Sequence, residues 1–170
     1  ENSEPQVMLS NKRQEEREKY PLYDYDEDLI EQTREDGRPR LCVYSFDKTV
    51  VVVGRGGKAF EEVYLDTCKQ EDVPVLRRRG GGCSVVLDPG NIVVSVALPP
   101  NYFKGRTRHF DQISDWFIAG LYRAGIDDVE QDGISDLVLH GKKISGSCLY
   151  RTKDVIFYSA TLLITPNIDD

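Results

Sequence analysis

Residues 77–91 read RRRGGGCSVVLDPGN, an order that no ordinary structural element requires. Arg77, Arg78 and Arg79 carry planar, permanently charged forks suited to a carboxylate or a phosphate. Gly80, Gly81 and Gly82 would each weaken a helix or strand interior by roughly 0.5–1 kcal/mol, so their succession points to a backbone that something approaches closely. Two readings follow from the residues alone. One is an anion site in which bare N–H groups and guanidinium groups converge; the other is a solvated basic turn.

A second stretch, SDLVLHGKKISGSCLYRTKD at residues 135–154, reads as a strand, a tight turn at His140-Gly141 and a further strand. Ser145, Gly146 and Ser147 are small where a strand ordinarily carries bulk, which implies that something lies against them. Lys143 stands just before them.

Together these blocks resemble the lipoate-protein ligase A family of the biotin/lipoate A/B protein ligase superfamily. The first is similar to that family's R-R-x-x-G-G-G-x-V-x-H-D-x-G-N, and GKKISGSCLYRTKD (141–154) to its G-R-K-[IV]-S-G-S-A-Y-R-x-T-K-D, with equal internal spacing. Phe157 to Leu163 resembles F-H-H-G-T-L-L. The resemblance runs roughly over residues 24–165, and most of its specificity lies in the two blocks. It departs from the pattern at Cys83 for the third glycine, Leu87 for the histidine and Tyr158-Ser159 for the paired histidines. Gly57 and Lys58 stand where the family has Gln and Asn.

The resemblance implies an α+β fold, a mixed and largely antiparallel sheet flanked by helices, of the biotin/lipoate ligase (class II synthetase-like) type. It implies ATP-dependent activation of lipoate or octanoate to an acyl adenylate. The acyl group then passes to a lysine of a lipoyl domain or a glycine-cleavage H-like protein. Lys143 matches the family lysine that contacts the acyl carbonyl and the phosphate, where an ammonium stabilises developing charge. Arg78, Gly81, Gly82, Cys83, Ser84, Val85, Val86, Asn91 and Ser145 match positions that bind ATP and lipoyl-AMP. Asp136 matches an acidic position suited to Mg²⁺, which takes one or two carboxylates and keeps waters. Asp88 and Asn91, with Pro89 and Gly90 between them, equally suit a structural turn.

Composition sets the outer bounds. With 170 residues, 39% hydrophobic and 30% charged, the chain is expected to form one domain over residues 21–170 behind a polar extension, residues 1–20. No run approaches a membrane span, no apolar leader core is present, and a cytoplasmic location is the default expectation. Cys42, Cys68, Cys83 and Cys148 are widely spaced, which suits reduced thiols better than a zinc module or a disulfide framework. Residues 1–36 hold 12 acidic and 5 basic side chains and residues 37–170 hold 17 of each, so the body is neutral and lacks the basic stripe of a nucleic-acid binder. An accessory C-terminal domain is expected to be absent from this chain, so that transfer would need a further segment or subunit.

Between the blocks, acids at Asp26, Glu27 and Asp28 open a helix that stops near Gly37. Leu41–Phe46 and Val50–Val53 read as a hairpin about Asp47-Lys48-Thr49. Glu61 to Glu71 reads as one helix with Val63, Leu65 and Cys68 inward. Ile92–Leu98 suits a strand buried on both faces. A helix capped by Thr107 or Asp111 runs to Ala124, with Ile113, Phe117, Ile118 and Leu121 as its apolar stripe and Trp116 read with Phe117 as core.

Two other activities fit parts of this pattern. An octanoyltransferase of the same fold would need a reactive thiolate, for which Cys148 is the cysteine nearest Lys143 in sequence. A non-catalytic acyl-binding relative would keep the fold and lose turnover. Biotin ligation is disfavoured, because that subgroup carries G-R-G-R-x-G-R where this chain has RRRGGGC.

Overall fold

The computed structural model describes residues 19–103 and 109–166. The polar extension up to residue 18 and the Thr107 cap fall outside these. The chain divides into two compact units, Glu1–Tyr25 with Lys48–Leu87 and Asp26–Asp47 with Asp88–Asp170.

The first unit is a three-stranded sheet. Strand β2 (Val50–Val53) lies between β3 (Val75–Arg77) and β4 (Val85–Leu87), parallel to the former and antiparallel to the latter. All four valines of β2 are buried, as befits an unbroken apolar run covered on both faces. Two short helices, α2 (Ala59–Glu62) and α3 (Leu65–Gln70), replace the single helix expected from Glu61 to Glu71. Val63 is extended (φ −133°, ψ 135°), which ends α2, and Val63, Leu65 and Cys68 are only half-buried.

The second unit is a six-stranded antiparallel sheet. Helix α1 (Glu27–Asp36) leads into β1 (Arg40–Tyr44). The unit continues with β5 (Asn91–Leu98), α4 (His109–Arg123), β6 (Val129–Asp132), β7 (Asp136–Leu139), β8 (Lys142–Arg151) and β9 (Ile156–Leu163). The strand order is β1-β5-β9-β8-β7-β6. The expected hairpin between Leu41 and Val53 does not form, because β1 pairs with β5 while β2 belongs to the other sheet. The signal lay in the pattern: β1 alternates between exposed and half-buried residues, whereas β2 is buried throughout.

Period-two alternation divides the sheet's two faces. Val94, Val96 and Leu98 of β5 and Tyr158, Ala160 and Leu162 of β9 meet Ile113, Phe117 and Leu121 of α4. On the other face Ala97, Val155 and Phe157 receive Ile30 of α1. Truncating Ile113, 2% exposed, to alanine costs about 2–5 kcal/mol. Helix α1 begins with Glu27 and Asp28 against the helix dipole and ends at Gly37, whose φ of 69° lets its N–H reach Thr33 O. Trp116 is not core: it is half exposed beside a cavity of about 330 Å³ on the α4 side, shared with Leu41, Leu98 and Tyr102. No helix among the described residues is long and apolar enough to cross a membrane.

Candidate active site

The hairpin of β7 and β8 sets the position of Lys143. His140 and Gly141 adopt positive φ (51° and 74°) and close a two-residue turn between Leu139 and Lys142. Leu137 then pairs with Ser145 but Val138 with Lys143, so Ile144 is an extra residue on β8. An insertion of one residue reverses which face the following side chain occupies. Without it Lys143 would share the face of Leu137 and Ser145, which belongs to the core. With it, Lys143 joins Asp136 and Gly146 on the opposite face. Its Nζ lies 2.6 Å from Asp136 Oδ2, and its side chain crosses Gly146, where an added Cβ would stand 3.2 Å from Cε and 3.3 Å from Nζ. Lys143 is 55% exposed and Asp136 34%, so the pair contributes little to stability. What it does is fix where an ammonium sits.

Among the small residues of β8, Ser147 donates to Ser135 O at 2.8 Å. Ser145 lies on the α4 face opposite Leu162, fully buried with an unpartnered Oγ, so its side chain is not among the groups beside Lys143. Asn91 is likewise buried and gives its Nδ2 to Asp88 Oδ1, which also accepts Gly90 N–H at 2.8 Å. This Asp88–Asn91 segment is a side-chain-built turn. Gly90 is required in it, since a Cβ there would stand 2.0 Å from Thr165 O.

In the first unit the arginines do not converge as free forks. Arg77 is 5% exposed and donates from Nη1 to Gly54 O and Gly57 O at 2.8 and 2.9 Å, with Tyr20 over its guanidinium. Arg78 donates to Val52 O, Gly81 O and Cys83 O at 3.1, 2.8 and 2.7 Å. Both hold backbone carbonyls and so shape two adjoining glycine loops. Arg55 N–H donates to Gly80 O at 2.8 Å, Gly82 takes φ 94°, and a Cβ on Gly54 would lie 1.9 Å from Gly82 O. Gly81, Gly82, Cys83, Val85 and Val86 are exposed at this loop and the strand after it, and Ser84 is half-buried.

Glu62, which sequence reasoning missed, ties the two loops together. Its Oε2 accepts both Ser84 N–H and Ser84 Oγ–H at 2.8 Å, and its Oε1 accepts Lys58 N–H at 3.1 Å. These bonds, the Ser84 hydroxyl first, hold its carboxyl below the ordinary glutamate value. Gly57, one of the departures noted above, leaves room for it: a Cβ there would be 2.7 Å from Glu62 Oε1.

Asp136, the acidic position suited to Mg²⁺, holds the Lys143 ammonium on its Oδ2 at 2.6 Å. The two residues replacing the expected histidines part company across the sheet. Tyr158 points into the α4 core at 1% exposure, bonded to Ser147 and Ser114. Ser159 faces the Lys143 side, opposite Cys148 and Ser95.

Residues 20–170 match the family described as the lipoyl protein ligase A/B catalytic domain. The lipoate-protein ligase LplJ of Bacillus subtilis (strain 168) is 27% identical over 135 residues, 79% of this chain and 40% of that protein. The chain spans about two fifths of the length of the curated relatives it matches first. A crystal structure of lipoate-protein ligase A bound with ATP superposes with a TM-score of 0.73 at 27% identity, covering 85% of this chain and 62% of that one. A bi-partite lipoate protein ligase from Thermoplasma acidophilum, described together with its E2 lipoyl domain, gives 0.75 at 26% identity, covering 94% and 59%. The expected α+β fold with a mostly antiparallel sheet is borne out.

Proposed function

The chain belongs to the lipoyl protein ligase A/B catalytic family, and on that footing we propose that it activates lipoate or octanoate with ATP and passes the acyl group to a lysine of a lipoyl-domain or H-protein-like acceptor. One observation carries the reading: a strand bulge turns Lys143 out of the core, and Asp136 and Gly146 fix its ammonium on a sheet face.

In the first step the acid's carboxylate oxygen attacks the α-phosphorus of ATP. A P–O bond forms, the bond to the β-phosphate breaks, and pyrophosphate leaves with acyl-AMP as product. Lys143 neutralises charge on the acyl and phosphate oxygens, an effect worth most where the donor is already oriented. Asp136 acts through Lys143 by holding it in place. The glycine loop of Gly81–Cys83 supplies backbone N–H groups to the nucleotide, and Arg78 serves by shaping that loop. In the second step the neutral amine of an acceptor lysine attacks the acyl carbonyl, the C–O bond to AMP breaks, and the amine gives up a proton as the amide forms. The description of the Thermoplasma enzyme as bi-partite supports a further proposal, that transfer draws on an accessory domain or subunit.

Pyrophosphate release from ATP with lipoate or octanoate, without acceptor, tests the activation step. Release that depends on the acid and is lost in Lys143→Ala supports the ligase. A second reading has one observation behind it: Cys148 shares the Lys143 face, two residues from Gly146. A stable thioester on Cys148 after incubation with an acyl-carrier thioester, seen by mass spectrometry, would replace the ligase by an octanoyltransferase.

A further inference from the structure

The face that carries Lys143 has a second feature, a row of small polar residues that runs across four strands. Cys42 of β1, Ser95 of β5, Ser159 of β9 and Cys148 of β8 stand directly opposite one another in register. The neighbouring row, Tyr44, Val93, Thr161 and Gly146, leads to Lys143. A core face would carry branched apolar side chains here, as the α4 face of the same strands does.

At Ser95 this row meets a buried acid. Asp26, the residue before α1, is 5% exposed; its Oδ2 accepts the Tyr44 hydroxyl at 3.0 Å, and its Oδ1 has no partner. Ser95 Oγ lies 3.1 Å from Ser159 Oγ, and the Ser95 hydroxyl also bonds the Asp26 carboxyl. The cluster is not sealed, since Ser159 and Tyr44 are only half-buried. An unsatisfied buried carboxylate oxygen carries the full desolvation cost of the group with nothing to offset it. A packed core gives no reason to keep one beside two serines.

We infer that Asp26, Tyr44, Ser95 and Ser159 form the far end of the acyl site, which takes medium-chain acids carrying a hydrogen-bonding group at the end remote from the carboxyl. The inference rests on the ligase reading, which places the carboxyl at Lys143. From β8 to Ser95 is two strand spacings, about 10 Å, a span that an extended eight-carbon acyl chain covers. A terminus that donates a hydrogen bond satisfies Asp26 Oδ1, whereas a methyl terminus leaves that oxygen desolvated and unpaired. Sites built on buried polar groups discriminate strongly against analogues lacking the matching group.

The test is pyrophosphate release by the full chain with octanoate and with 8-hydroxyoctanoate, with lipoate as reference. The expected result is a kcat/KM at least about tenfold higher for 8-hydroxyoctanoate than for octanoate. That ratio should fall toward one in Ser159→Ala and Ser95→Ala, with circular dichroism confirming that both fold. Equal or better use of octanoate by the wild type, or a ratio unmoved in both folded variants, overturns the inference and leaves the ligase reading standing. Absence of acid-dependent release with all three acids overturns both.

Discussion

The backbone N–H and the hydroxyl of Ser84 both donate to one oxygen of Glu62, each at 2.8 Å. A residue of the glycine loop is thus pinned by an acid 22 positions earlier in the chain. The pin depends on Glu62 being ionised. Because the folded value is depressed, the contribution is present above the ordinary glutamate range and is lost as pH falls through the folded value. The Ser84 amide resonance should therefore move on acidification below about pH 4.5, and in Glu62→Ala its hydrogen exchange should be fast at neutral pH. Slow exchange in that variant would show that the loop holds its shape without the pin.

Lys143→Ala should lower acid-dependent pyrophosphate release by about 10²–10³-fold, the range seen when one oriented donor to developing charge is removed. Gly146→Ala should act on the same step. Its new methyl would crowd the end of the Lys143 side chain, at 3.2–3.3 Å, rather than any backbone atom. A fall in kcat with an unchanged unfolding midpoint is expected; a wild-type kcat would mean that the position of the ammonium over Gly146 is unimportant.

Gly54→Ala meets backbone instead. A Cβ 1.9 Å from Gly82 O can be relieved only by separating the two glycine loops, and a cost of about 1–3 kcal/mol is expected from chemical denaturation. Gly56→Ala, where nothing lies within 4 Å, serves as the control and should cost far less.

Arg77→Ala removes a buried guanidinium from the carbonyls of Gly54 and Gly57. Leaving such acceptors unpaired costs about 1–3 kcal/mol. Arg77→Lys should recover only part of this, since an ammonium lacks the planar fork. Full recovery in urea denaturation would count against a geometric role.

Burial pushes the Asp26 carboxyl above the ordinary aspartate value, against hydrogen bonds from Ser95 and Tyr44 that pull it down. A raised folded value means that stability is greatest below the unfolded value and declines as pH rises through the folded one. Asp26→Asn should accordingly raise the melting temperature at pH 7, with the gain shrinking as pH falls through the raised folded value and gone below about 3.8. An equal gain at both pH values would show that the carboxyl's charge is not the cause.

The sequence by itself determined the family, because RRRGGGCSVVLDPGN and GKKISGSCLYRTKD are contiguous blocks whose order and spacing survive any folding. It also determined the central strand Ile92–Leu98, the helix stopped at Gly37 and the His140-Gly141 turn, all set by local period, positive φ or capping. Tertiary structure alone decided the rest. That Arg77 spends its donors on Gly54 O and Gly57 O, and Arg78 one of its own on Val52 O, depends on segments 20 or more positions apart. That Lys143 faces Asp136 while Ser145 faces the core depends on one extra residue in a strand register, and register is a property of two strands together. The row from Cys42 to Cys148 likewise exists only because three separate pairings bring four distant segments side by side.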